Sequence, residues 1–155
     1  MNSNYKIPYG ECNFEFIREE GFLYVDKAQF IARIEMMTKL IHLRPRRFGK
    51  SLFVSTLESY YDIASADKFD ELFSGLYIHD HPTKSKNNHY VLHFDFSGIQ
   101  TTNMDTINED FFTAVQTAIE GFIKKYGFNI DVEKITRPAT MLTRKSIFKK
   151  TLFLN

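Results

Sequence analysis

The sequence predicts an α/β protein in which helices flank a mainly parallel sheet. Two observations carry that expectation. Short apolar runs alternate with helix-period stripes in the order strand, helix, strand, helix, strand, helix. The chain also has 155 residues, 43% hydrophobic and 25% charged, which is enough for one domain with a real core and too apolar for a disordered chain. Sixteen Phe and eight Tyr with no Trp make that core aromatic.

The elements follow in order. After a polar lead-in and a turn at Pro8-Tyr9-Gly10, Phe14 to Ile17 read as a short helix that Gly21 stops. Phe22 to Val25 read as a strand. Asp26, with Gln29 three residues on, has capping-box spacing for a helix carrying Phe30, Ile31 and Ile34. Leu40-Ile41-His42-Leu43 is a second strand, which Pro45 ends because proline cannot donate to a ladder. A helix from Gly49 or Lys50 to about Ile63 presents Leu52, Phe53, Leu57, Tyr60 and Tyr61 on one face. A shorter helix has the stripe Phe69, Leu72 and Phe73 and closes at Gly75. His79 to His89 reads as a loop, and Tyr90 to Phe96 as the strongest strand. Thr106 and Glu109 form another capping box, opening a long helix with Ile107, Phe111, Val115, Ala118, Phe122 and Tyr126 at steps of three or four, stopped by Gly127. Beyond it, Val132 to Ile135 reads as a helical turn and Ala139 to Phe153 as one more helix.

Charge and cysteine content narrow the function. A net charge of +1 gives no global attraction to nucleic acid or membrane, so any basic surface is local. One cysteine, Cys12, allows neither an internal disulfide nor a multi-cysteine zinc site, which suits a reducing cytoplasm. No apolar run approaches the roughly 18 residues of a membrane span.

The chemistry concentrates at Arg44-Pro45-Arg46-Arg47-Phe48-Gly49-Lys50-Ser51, between an apolar strand and an amphipathic helix. The phosphate-loop pattern G-x-x-x-x-G-K-[ST] is complete in its second half. Gly49 lets the backbone approach a phosphate, and the first helical amides and the helix dipole favour an anion there. Lys50 would meet the β- and γ-phosphates of ATP, and the Ser51 hydroxyl would hold Mg2+. Phe48 and Leu52 complete the nucleotide-binding segment. Arg44 stands where the first glycine belongs, and Arg44, Arg46 and Arg47 add positive charge near the phosphates. The layer is then a partial one of the P-loop NTPase kind. An alternative is a non-catalytic nucleic-acid or protein-interaction module whose Arg44, Arg46, Arg47 and Lys50 contact a phosphate backbone; it would weaken with salt and ignore ATP. Gly49 separates the two, because a backbone patch needs no glycine there.

These residues resemble the AAA-ATPase-like family of bacterial P-loop ATP-binding proteins. The resemblance runs through Ile7-Pro8-Tyr9-Gly10, Phe14 to Gly21, Tyr24-Val25-Asp26-Lys27, Leu43 to Leu52, Leu57-Glu58-Ser59-Tyr60-Tyr61, Leu72 to Ile78 and Phe94-Asp95-Phe96-Ser97. Its most specific piece is Arg-Pro-Arg-Arg-Phe-Gly-Lys-Ser, so Arg44 in place of glycine is a family feature. The resemblance implies a P-loop fold that binds ATP with magnesium. In longer members it implies more of the ATPase core and a domain resembling restriction-type nucleases, hence a nucleic-acid partner. Residues 1–130 are expected to be the N-terminal part of the P-loop domain, and 131–155 a helical or irregular tail, truncated or frameshifted relative to the family. The family's acidic Walker B strand is expected after the long helix, and no Asp-Glu strand follows it in this sequence. Binding is therefore expected rather than turnover, with no catalytic residue assigned. Three strands are visible where an open sheet of this kind has about five, so a protein partner completing the sheet is a further expectation.

Other residues have two readings. Asp95 ends an apolar strand and reads either as a magnesium carboxylate or as a strand-end structural residue; Phe96 stands where a catalytic glutamate would be. His79 and His81 flank Asp80, as metal ligands or as solvated side chains. His42 and His93 lie inside strand patterns and read as core or interface histidines. Asp26-Lys27 reads as a helix cap without assigned chemistry. The aromatic excess reads as core packing rather than a base-stacking platform, because it falls on helical stripes and strand interiors.

Overall fold

The computed structural model describes residues 6–37, 41, 43, 45, 47–99, 104–129 and 151–154. The chain divides into two compact units, 1–88 and 89–155.

The first unit is a packing of short helices. Asn13 caps α1 (Phe14–Glu19), its side chain accepting from the Phe16 amide at 3.1 Å. Gly21, at φ +66°, turns the chain out of the helix. Phe22 to Val25 do not form the expected strand. Phe22 makes one parallel bridge to Lys6, and no ladder follows among the described residues. The segment still alternates, with Tyr24 turned inward and Leu23 and Val25 outward, but among the described residues no second segment extends the pairing. Asp26 does not build the expected capping box with Gln29. Its Oδ1 instead accepts from the Ala28 amide at 2.7 Å, and the chain enters a 3₁₀ turn, Ala28–Phe30, before α2 (Ile31–Glu35). Of the strand expected at Leu40–Leu43, Leu40 and His42 lie outside the described residues; Ile41 and Leu43 are exposed and in no ladder.

α3 (Lys50–Tyr61) buries Phe53, Thr56, Leu57, Ser59, Tyr60 and Tyr61. A 3₁₀ helix, Ile63–Lys68, leads into α4 (Phe69–Phe73), whose stripe Phe69, Leu72 and Phe73 is buried as its spacing predicts. Gly75, at φ +75°, ends that segment. α5 (Tyr77–Asp80) follows, so His79 and Asp80 belong to a helix and not to the expected loop. The cause is a distant acceptor: Asp26 Oδ2 takes the Tyr77 amide at 2.7 Å, satisfying a donor that a helix start leaves open.

The core of this unit is aromatic. Phe14 packs edge-on against Tyr24 at 5.2 Å between centroids and tilts against Phe73 at 4.9 Å; Tyr60 meets Phe73 at 5.6 Å, and Phe69 stacks on Phe73 at 5.0 Å. Arg18 ties α1 to the end of α4, donating from Nε to the Leu72 carbonyl and from Nη2 to the Ser74 carbonyl, both at 2.6 Å.

The second unit pairs β1 (Tyr90–His93) with β2 (Thr151–Leu154) in parallel, Tyr90 opposite Thr151 and His93 opposite Leu154. β1 stops short of the expected Phe96. His93 at its end is exposed, not a core histidine. Thr151–Leu154 is a strand where a helix was expected, because the open backbone groups of β1 give an extended segment a partner that periodicity cannot show. The rest of the expected helix, from Ala139, and the turn at Val132–Ile135 lie outside the described residues. α6 (Met104–Tyr126) begins before Thr106, which therefore sits within the helix and not at its cap. Gly127, at φ +66°, ends it as expected. Val115 and Ile119 are buried with Phe94, Phe96 and Ile123 packed on them. The Tyr126 hydroxyl accepts from the Val91 amide at 2.9 Å and so fixes α6 to β1.

Candidate phosphate-binding site

The site is the start of α3. Gly49 is the cap residue, left-handed at φ 72° and ψ 30°, a conformation that costs a residue with a Cβ roughly 1–2 kcal/mol. Its carbonyl accepts from the Phe53 amide at 3.0 Å, which closes the first helical turn. Arg47, two residues earlier, is also left-handed at φ 65°. The cap residue, a glycine, brings no side chain to this helix start. Among the described residues no side-chain acceptor meets its first amides, those of Lys50, Ser51 and Leu52, which leaves them to an anion.

The side chains around this turn face solvent. Arg47, Phe48, Lys50 and Ser51 are exposed; Gly49 and Leu52 are half-buried. Arg44 and Arg46 lie outside the described residues. The remainder of α3 is held firmly. The Ser55 hydroxyl accepts from the Phe14 amide at 3.0 Å, and Thr56 Oγ1 donates to the Leu52 carbonyl at 2.9 Å and lies 3.2 Å from the Tyr24 hydroxyl. Burial pushes the Tyr24 phenol above its ordinary value, so this buried contact is between neutral hydroxyls.

One residue joins the loop that its sequence position did not announce. A Cβ placed on Gly49 would stand 3.5 Å from Lys27 Nζ. The ammonium of Lys27 thus lies against the glycine of the loop, on the side that a larger residue would occupy. No local pattern encodes that approach. The signals were Lys27 standing next to an aspartate whose spacing suggested a cap, and its place in a segment, Tyr24-Val25-Asp26-Lys27, that resembles the family.

Asp95 belongs to the second unit, two residues past the end of β1. Its Oδ1 accepts from the Ser97 amide at 2.9 Å, and that bond holds its carboxyl below the usual range. His79 lies between two carboxylates, Nε2 3.3 Å from Asp70 and Nδ1 3.2 Å from Asp80, while His81 Nδ1 is 3.1 Å from the Tyr77 carbonyl. Among the described residues no cluster of three or more His, Cys, Asp or Glu is arranged to hold a metal ion. Nor is any helix there long and apolar enough to cross a membrane.

The model of a family described as "Predicted AAA-ATPase" matches residues 8–154. The chain belongs to this AAA-ATPase-like family. A curated relative, an "Uncharacterized protein in vnfD 5'region" of Azotobacter chroococcum mcd 1, is 41% identical over 98 residues. That alignment covers 62% of this chain and 18% of the relative, so the chain spans under a fifth of the relative's length. No solved structure gives a significant match.

Proposed function

We propose that this chain binds ATP with magnesium through the segment Arg44 to Leu52, on an α/β layer of the P-loop NTPase kind. The observation that carries the reading is a left-handed glycine followed by lysine and serine at the uncapped start of a buried-face helix. Membership in an AAA-ATPase-like family and the parallel pairing of β1 with β2 support it. In this reading the amides of Lys50 to Leu52 and the Lys50 ammonium hold the β- and γ-phosphates. The Ser51 hydroxyl is a ligand to magnesium, and a bound Mg2+ would neutralise phosphate charge there. Arg44, Arg46 and Arg47 add cationic charge to the segment. No residue is assigned to orient an attacking water, so the proposal is binding and not turnover.

Titration of the full chain with Mg·ATP, wild type against Lys50→Ala, tests this. The variant is expected to bind at least about tenfold more weakly, or about 1.4 kcal/mol. Equal affinity in the two proteins would remove the assignment.

A further inference from the structure

We propose that Lys27 is a second phosphate-binding lysine, contacting the phosphate chain of the nucleotide from the Gly49 side of the loop. The inference deepens the nucleotide-binding reading above and rests on it.

Three observations lead there. The first is position: Lys27 Nζ lies within van der Waals reach of where a Gly49 side chain would be. Gly49 is the residue at which the backbone must come closest to a phosphate, so a group packed against it reaches the same oxygens. The second is charge. Lys27, Arg47 and Lys50 gather at the positive end of the α3 dipole, where a cation is disfavoured and an anion favoured. Among the described residues neither Lys27 nor Lys50 has a carboxylate at ion-pair distance. The third is that the carboxylate next in sequence is committed elsewhere. Asp26 gives Oδ1 to the Ala28 amide and Oδ2 to the Tyr77 amide. Those two bonds fix the backbone beneath Lys27 and turn the carboxylate toward amides instead of toward the ammonium. A fixed backbone, a half-buried lysine and a cluster of positive charge with no ion pair from Lys27 or Lys50 among the described residues describe a group positioned to receive an anion.

The role differs from that of Lys50. Lys50 rides on the helix that follows the loop, whereas Lys27 comes from a separate turn. A phosphate chain bound at the loop is then held between two lysines carried by different elements. Affinity should grow with the number of phosphates, and Lys27 should contribute more to ATP than to AMP.

The test compares wild type, Lys27→Gln, Lys27→Arg and Lys50→Ala for binding of Mg·ATP and AMP, with the melting temperature of each measured without nucleotide. Lys27→Gln is expected to lose at least tenfold in ATP affinity and under threefold for AMP, to keep the wild-type melting temperature, and to regain most of the ATP affinity as Lys27→Arg. Wild-type ATP affinity in Lys27→Gln, with affinity lost in Lys50→Ala, would overturn this inference and leave the nucleotide reading standing. Failure of the wild-type chain to bind ATP would overturn both. A second measurement needs no variant: amine acetylation of the wild-type chain, with and without Mg·ATP. Protection of Lys27 by Mg·ATP supports the contact, and equal modification of Lys27 in both conditions overturns it.

Discussion

Asp26 shows how much one side chain can organise. Its two oxygens accept from amides in different parts of the first unit, one starting the 3₁₀ turn at Ala28 and one starting α5 at Tyr77. Replacement by alanine leaves both amides without that acceptor, and Asp26→Ala is expected to destabilise the first unit by about 1.5–3 kcal/mol. Urea denaturation followed by circular dichroism measures it, with Asp26→Asn falling between the two because it keeps one oxygen. The start of α3 at Gly49 and Lys50 was legible in sequence because its pattern is local: consecutive residues at a helix start. Lys27 was not, because its approach to Gly49 joins two separate elements. For the same reason Asp26 could be read as a cap but not as the acceptor for a helix start further along the chain.

At the scale of elements, the helices with a clean apolar stripe were the readable ones. α3, α4 and α6 lie close to where their spacing put them, since the 3.6-residue period is a property of the segment alone. Helix starts were less readable: Thr106 has the right neighbour for a capping box, but the helix runs past it to Met104. Strands were the least readable, because a strand needs a partner. Phe22 to Val25 have the alternation and find one bridge, while Thr151 to Leu154 lack a strong pattern of their own and find all of β1.

The clamp between α3 and the turn after α5 makes a second quantitative case. The Tyr60 hydroxyl accepts from the Thr83 amide at 2.8 Å and lies 3.0 Å from the Thr83 hydroxyl, which donates to Glu35 at 2.6 Å. Tyr60→Phe keeps the ring packed against Phe73 and removes only the hydroxyl, which accepts from the Thr83 amide and donates to Thr83 Oγ1. It is expected to cost about 1–3 kcal/mol in chemical denaturation, whereas an unchanged midpoint would show that the Thr83 amide has another partner.

For the molecule as a whole, nucleotide binding and stability are linked. A ligand that binds only the folded chain stabilises it by about 2.7 kcal/mol at a hundred times its dissociation constant. Mg·ATP is therefore expected to raise the melting transition that includes α3 by roughly 5–10 °C, and Lys50→Ala, binding about tenfold more weakly, to cut the rise to about half at the same concentration. Differential scanning fluorimetry reads this directly, and a shift equal in the variant would mean that the nucleotide acts elsewhere. Hydrogen exchange locates the effect: slowed amides should cluster at Lys50 to Leu52.

The parallel register of β1 with β2 has a kinetic consequence. Tyr90 meets Thr151 only after the whole of α6 and the chain beyond it have been drawn into a closed loop. The entropy of that closure is lost before any ladder hydrogen bond compensates for it. α6 can form early from near neighbours, but the ladder must wait for a long-range encounter, which makes strand docking the slow step in folding the second unit. Until then the backbone of β1 stays open to other extended chains, and refolding at high protein concentration is where misassembly would begin.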